Sequence, residues 1–249
     1  MAVLWQQHLN RTHYKVTQAG NSLRLYRDGI FHSQFNEQTL VSGAVWDLLL
    51  LPAFFLPSQQ VRRVLVLGVG GGAVMRMLMH CFPEAEIHGV EKDPVHLDVA
   101  QNWFGVQGEK ITLHEHCAKQ WVEQFSGEPF DVIIDDVFGG LKSDPERAIM
   151  VDEDWVALLN NMKRKNGVLA FNFDTTQKAH GSVLSNKSAC KRLGLINKKS
   201  LTTEGFLNQI VVASEASLNE NDFASRLKKI KALNADYRGC RLRHSVWSF

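Results

Sequence analysis

A chain of 249 residues with 45% hydrophobic and 22% charged residues has globular proportions and can bury a sizeable core, which excludes a disordered or fibrous protein. The net charge of +2 hides an acid-rich stretch over 84–154 and a base-rich one over 163–249, but the basic residues are dispersed without a run of five, so no nucleic-acid partner is expected. Cys81, Cys117, Cys190 and Cys240 form no CxxC pair, and the N-terminus lacks the basic start, apolar stretch and cleavage site of an export leader, so a reduced, cytoplasmic protein is expected.

Along the chain, HYKVTQAG and NSLRLYRDG alternate loosely around an Ala-Gly-Asn-Ser turn. Ile30 to Phe35 follows Asp28-Gly29, and together these predict a small β-hairpin unit over 1–36. Leu40, Val41, Ala44, Val45, Leu48 and Leu49 recur at helical spacing and predict a helix from Glu37 to about Phe55. Val41 to Pro57 is the most apolar stretch, yet Asp47, Pro52 and Pro57 make it a buried helix with a proline stop, and no membrane span is expected. Trp46, Trp103, Trp121 and Trp155 fall in apolar helical contexts and are expected to fill the core.

From residue 61 the runs VRRVLVLG, AEIHGVE, ITLHE, FDVIID and NGVLAFNF alternate with helical stretches, Ala73–Cys81, Val95–Phe104, Ala118–Phe125 and Asp152–Met162. Ser182 to Leu193 suggests one more helix, Leu195 to Leu201 and Phe206 to Ala213 a closing pair of strands, and Asn221 to Leu233 a last amphipathic helix. This alternation predicts a Rossmann-like α/β domain over 37–249, a mostly parallel seven-stranded sheet with helices on both faces. Trp247 and Phe249 in the tail dock either on the domain or on a second subunit, which leaves a homodimer open.

Chemistry concentrates at three strand ends. An apolar strand runs into Gly68-Val69-Gly70-Gly71-Gly72 and then into a helix, where open α/β sheets bind ligands. Bare backbone lets a ligand reach the amides, with a simple tight turn as the lesser alternative. The next strand ends at Glu91, followed by Lys92, at the separation that places a carboxylate on ribose hydroxyls in nucleotide-binding units. A carboxylate there repels a 2′-phosphate, which argues against NADP. The strand FDVIIDD ends in Asp135 and Asp136, paired acids suited to act as a base, to orient a cation, or to cap the following turn. His114, His116 and Cys117 in LHEHC lack a second ligand cluster, so no metal is expected.

Over roughly residues 22–173 the chain resembles the spermidine synthase family, aminopropyltransferases on a class I methyltransferase-type fold behind a small N-terminal β-domain. VLVLGVGGGAVMRMLMH parallels the family's VLIIGGGDGGxxREVxxH, with Gly68, Gly70, Gly72, Arg76 and His80 matching. Glu91 in VEKD matches the ribose-binding acid of VEID, and DVIIDD is similar to DVIITD, which puts Asp136 at the catalytic aspartate. Gly71 replaces an aspartate in the family loop, Cys117 followed by Ala118 replaces the adenine-holding aspartate, and Asp136-Val137-Phe138-Gly139 replaces DSSDP. The family's YHE segment has no counterpart in NEQTLVSGAVWD.

The resemblance implies a transferase that binds S-adenosylmethionine or its decarboxylated form. Gly68, Gly70, Gly71, Gly72, Glu91, Lys92, Cys117, Ala118 and Asp135 would surround the nucleotide, Asp136 would be catalytic, and Gln34 would stand in for an acceptor-binding glutamine. Each ammonium of a polyamine needs an acceptor when stripped of water, and the missing acids remove several. A methyl or related alkyl transfer to a different small-molecule acceptor is therefore expected. Genuine aminopropyl transfer to a polyamine and a non-catalytic nucleotide-binding or interaction protein are the alternatives.

Overall fold

The computed structural model describes residues 1–139 and 146–249. Strands β1 (Ala2–Leu9), β2 (Thr12–Ala19), β3 (Ser22–Arg27) and β4 (Ile30–Asn36) form an antiparallel sheet in chain order. The β3–β4 turn holds Asp28 and Gly29 at φ of 49° and 83°, as a two-residue hairpin requires. β1 escaped the sequence reading because it is an edge strand exposed on both faces, so no apolar alternation marks it.

The expected helix over residues 37–55 begins only at α1 (Val45–Leu50) and tightens into a 3-10 turn over Leu51–Phe55. The Asp47 carboxylate accepts the amides of Ser42 and Gly43 at 3.0 and 2.6 Å, which pins the preceding segment in a non-helical loop. Burial pushes Asp47 up to about 6 despite these bonds.

The remaining elements are β5 (Arg63–Leu67), α2 (Ala73–Cys81), β6 (Glu86–Glu91), α3 (Pro94–Asn102), β7 (Ile111–Glu115), α4 (Ala118–Gln124) and β8 (Phe130–Asp135). A two-residue pair, β9 (Phe138–Gly139) and β10 (Glu146–Arg147), precedes α5 (Glu153–Met162) and β11 (Lys163–Phe173). Helices α6 (Thr176–His180) and α7 (Lys187–Arg192), strands β12 (Asn197–Thr202) and β13 (Gln209–Ser214), helix α8 (Glu220–Lys228) and strand β14 (Ser245–Ser248) complete the chain.

The main sheet runs β14-β12-β13-β11-β8-β5-β6-β7. β7, β6, β5, β8 and β11 are mutually parallel, whereas β13 is antiparallel to both of its neighbours and β14 to β12. The sheet is the expected Rossmann-like one with an eighth strand. The tail supplies it by pairing Lys199 with Ser248 through Thr202 with Ser245, and Phe249 then stacks on His180 of the same chain.

Alternation explains how the central strands stay buried on both faces. Val64, Val66, Val132 and Ile134 join a core beneath the N-terminal sheet, α1, α2 and α8, while Leu65, Leu67, Ile133 and Phe171 join a second core beneath α4 to α7. Trp155 is buried in the second core, whereas Trp46, Trp103 and Trp121 are only partly buried against their clusters. Among the described residues no helix is long and apolar enough to cross a membrane.

Candidate functional site

The chain leaves β5 for β6 on one side, while β8 flanks β5 on the other, so the crevice lies at the point where strand order reverses. Register brings three strand ends level, with Leu67 opposite both Val90 and Asp135. Gly68 donates its amide to the Val90 carbonyl and Asp136 donates to the Leu67 carbonyl, each at 2.9 Å. Gly68, Glu91 and Asp136 therefore emerge side by side.

Gly68 has φ of 84°, and a Cβ there would lie 2.2 Å from the Asp136 carbonyl oxygen. Neither the dihedral nor the approach tolerates a side chain. Gly68→Ala is expected to destabilise the fold by about 2–4 kcal/mol, read as a lower denaturation midpoint. An unchanged midpoint would contradict this packing. Gly71 and Gly72 answer to other neighbours: a Cβ on Gly71 would meet Ser33 Cβ at 2.7 Å, and one on Gly72 would meet Val106 Cγ2 at 2.5 Å. These two glycines let the N-terminal sheet and the end of α3 close on the loop, and they do not line the crevice.

Between the strand ends and the N-terminal sheet lies a cavity of about 590 Å³ whose walls include Gly68, Gly70, Glu91, Lys92, Cys117, Ala118 and Asp136. Its size and its largely apolar walls suit a small-molecule site. Trp46 lines this cavity as well as flanking the core. Gln34 does not reach it. Its Oε1 accepts from Arg24 Nε at 2.8 Å, and its side chain lines a second hollow near Arg76 and His80. His32, two residues earlier on the strand, faces the cavity in its place.

Glu91 is only 9% exposed. Its Oε2 accepts from Gly70 N and its Oε1 from Asp93 N, both at 3.0 Å, with His96 Nδ1 at 3.9 Å. Burial alone raises its pKa, but His96 and the two amides more than offset that and hold the group below the ordinary carboxylate range. It is an anion held in place by two amides at the cavity wall. Helix capping falls instead to Asp93, whose carboxylate accepts from Val95 N at 3.0 Å ahead of Pro94.

Asp135 and Asp136 point to opposite faces of the sheet, as successive strand residues must. Asp135 is wholly buried beneath the sheet, accepting from Arg147 Nη2 at 2.6 Å and Trp155 Nε1 at 2.8 Å, so it does not line the cavity. Asp136 sits at the cavity floor with Oδ1 accepting from Asn172 Nδ2 at 2.7 Å, and its Oδ2 holds no hydrogen bond among the described residues. Burial, opposed by Asn172 and Arg147 and helped by Asp135 and Glu91, pushes it up to about 7. A carboxyl poised there changes protonation state near neutrality, as a general base requires.

Several participants were invisible to sequence reasoning. Asn172 Oδ1 accepts from Asn208 Nδ2 at 3.0 Å, which fixes which end of the Asn172 amide faces Asp136. Arg147 Nη1 donates to the Asn172 carbonyl at 2.6 Å and ties β8 to β11 under the floor. Tyr14 donates to Asp93 Oδ2 at 2.7 Å, and burial with that partner pushes the phenol up to about 12. His32 stands 5.0 Å from His96 ring to ring, and burial, with His96 and Arg27, lowers it to about 4, so the His32 imidazole is uncharged at neutral pH. Each comes from an element remote in sequence from the glycine loop, and only the asparagine in NGVLAFNF, a polar residue in an apolar strand, carried a signal. His116 and Cys117 line the cavity, whereas the neighbouring His114 pairs with His88 at 3.2 Å.

No family model matches the chain. Its sequence is similar to the polyamine aminopropyltransferase of Vibrio vulnificus, 29% identical over 131 residues, covering 51% of this chain and 43% of that protein. It is also similar to the eEF1A lysine and N-terminal methyltransferase of Xenopus laevis, 31% identical over 146 residues, covering 55% of this chain and 20% of that protein. The chain thus spans less than half the length of these curated relatives. Its fold is shared with a probable spermidine synthase from Corynebacterium glutamicum, at a TM-score of 0.73 and 14% identity over 100% of this chain and 91% of that one. Human methyltransferase-like protein 13 in complex with SAH aligns at a TM-score of 0.61 and 19% identity, over 76% of this chain and 91% of that one. The resemblance seen in the motifs therefore extends to about half of the sequence and to the Rossmann-like fold, at the low identity of a divergent relative.

Proposed function

We propose that this chain is a spermidine synthase-like transferase that binds S-adenosylmethionine or its decarboxylated form and moves a methyl or related alkyl group to a small-molecule acceptor. One observation carries the reading: bare backbone at Gly68 and Gly70, the fixed anion Glu91 and the near-neutral acid Asp136 line one cavity at three adjacent strand ends. Both kinds of named relative, aminopropyltransferase and methyltransferase, are transferases.

The residues fit an adenosyl sulfonium. Glu91 would offer acceptor atoms to a ribose diol, the bare Gly68 and Gly70 would let the sugar approach the backbone, and Cys117 and Ala118, which line the same cavity, would flank the base. When bound, the sulfonium supplies an electrophilic carbon and a neutral leaving group, so the protein need not provide an acid. Its own task is to orient the acceptor and remove a proton. Asp136 does both from Oδ2, while Asn172, steadied by Asn208, holds the other oxygen still.

Cys117 supplies a direct test. It is the exposed member of the four free cysteines, Cys81 being partly buried and Cys190 and Cys240 buried. Burial also pushes the Cys81 thiol up to about 12. N-ethylmaleimide is expected to label Cys117 first, and saturating S-adenosylmethionine, or its decarboxylated form in a parallel titration, to slow that labelling at least tenfold. Mass spectrometry of the labelled peptide reads the result. Labelling that neither nucleotide slows would remove the proposed site, and the better protector identifies the donor.

A further inference from the structure

The β3–β4 hairpin roofs the glycine loop, because a Cβ on Gly70 would lie 3.5 Å from the His32 carbonyl oxygen. From that roof Arg27 and Asp28 line the cavity. The Arg27 side chain is only 25% exposed, yet its guanidinium makes no hydrogen bond among the described residues. The one acid within reach there is Asp93, whose Oδ2 lies 3.7 Å from Nη1. That carboxylate already accepts from the Tyr14 hydroxyl on Oδ2 at 2.7 Å and from Val95 N on Oδ1 at 3.0 Å. A guanidinium carries its N–H donors in a planar fork, and leaving them half-buried without an acceptor is costly. Asp28 gives one oxygen to the His13 amide at 2.8 Å, and its second holds no hydrogen bond among the described residues. Phe31 on the same hairpin and Phe206 from the β12–β13 loop also line the cavity and stay 38% and 39% exposed, so they mark its opening and offer an anion no hydrogen bond.

Strand order decides what this pair would face. With the base beside Cys117 after β7 and the ribose on Glu91 after β6, the rest of a sulfonium nucleotide would run over the Gly68–Gly70 turn after β5, directly under the hairpin. The acids Asp136 and Asp174 follow β8 and β11, on the far side of that turn. The lysines of the cavity stand elsewhere: Lys119 follows Cys117 and Ala118 on α4, and Lys92 Nζ lies 3.9 Å from where a Gly139 Cβ would be. Resting on the transferase reading, we infer that the donor is S-adenosylmethionine itself, its α-carboxylate held by the Arg27 fork and its α-ammonium by the second Asp28 oxygen. A carboxylate matches the guanidinium fork with two parallel charge-assisted hydrogen bonds. The decarboxylated form keeps the ammonium and lacks the carboxylate, so it would set one cation beside another with no anion between them. Arg27 is thus a specificity-determining residue that separates two donors sharing the same adenosyl sulfonium.

Titration calorimetry of the full chain tests this with two ligands that carry the carboxylate, S-adenosylmethionine and S-adenosylhomocysteine, and two that lack it, decarboxylated S-adenosylmethionine and 5′-methylthioadenosine. The first two are expected to bind about tenfold or more tighter than the last two, the usual worth of a charge-assisted fork. Arg27→Gln should weaken both carboxylate-bearing ligands by about that factor and leave 5′-methylthioadenosine unchanged, which also shows that the variant's site is intact. Where the glutamine variant does not fold, Arg27→Lys, which keeps the charge but not the fork, should narrow the preference, and an unchanged preference there overturns the assignment equally. If the nucleotides bind and the decarboxylated form is equal or tighter, or Arg27→Gln keeps the preference, the inference falls while the transferase reading stands. If none of these ligands binds the parent chain, both fall together.

Discussion

Replacing Asp136 with asparagine is expected to lower turnover by about 10²–10⁴-fold, the usual worth of a positioned base, with little change in nucleotide affinity. The substitution keeps shape and retains an oxygen to accept from Asn172 Nδ2, so the loss reports the missing proton acceptor rather than a collapsed floor. In the parent protein kcat should rise about tenfold per pH unit below about 7 and level off above it, because only the ionised carboxylate can take the proton and burial has pushed it up to about 7. A parent profile flat from pH 5.5 to 8.5, or an asparagine variant with full turnover, would remove Asp136 from the chemistry.

The same variant carries a stability signature of opposite sign. A carboxyl raised from 3.8 to about 7 binds its proton more tightly folded than unfolded. As pH climbs through 3.8 the unfolded chain ionises first, so the parent loses stability from there until the folded group also ionises near 7, and the deficit is complete above that. Asparagine has no such charge to bury. At pH 8 Asp136→Asn should be more stable than the parent by about 2–4 kcal/mol, and below pH 4 the two should coincide. Denaturant midpoints at the two pH values measure this directly.

Glu91→Ala is the second large effect, and it acts on binding. A ribose diol held by two charge-assisted hydrogen bonds loses about 3–4 kcal/mol when the carboxylate goes, a weakening of about 10²–10³-fold in nucleotide Kd. Glu91→Gln keeps acceptor oxygen but not charge and should lose about tenfold. Because the amides of Gly70 and Asp93 would lose their acceptor, the alanine variant should also unfold more easily, by about 1–3 kcal/mol. Titration calorimetry separates the two consequences. Undiminished affinity in the alanine variant would mean that the carboxylate serves only its own loop.

Legibility in the sequence followed the physics of each element. The parallel strands were plain because burial on both faces writes unbroken apolar runs such as VLVL and VII, and α2 was read over Ala73–Cys81 directly after the glycine loop. Glu91 and Asp136 were readable because an acid at the end of such a run has no packing purpose. β1 and β14 were not, since edge strands bury little, and the loop over residues 37–44 was misread as helix because nothing in its composition reveals that Asp47 folds back onto its amides. Paired acids look alike in sequence, yet one-residue alternation sends Asp135 to Arg147 and Trp155 beneath the sheet and Asp136 to the cavity. Gln34 was placed by analogy, and strand pairing with Arg24 turned it elsewhere.

The fit of Ser33 against Gly71 has a consequence for how this molecule can diverge. A side chain at position 71 would push the sheet off the loop, so this half of the site depends on a bare residue there. Phe31 and Phe206 make no hydrogen bond to the groups around Glu91, and exchanging them leaves those bonds in place. If the proposed transferase reading holds, exchange of these aromatic residues would alter the cavity opening while the loop, Glu91 and their hydrogen bonds stay as they are.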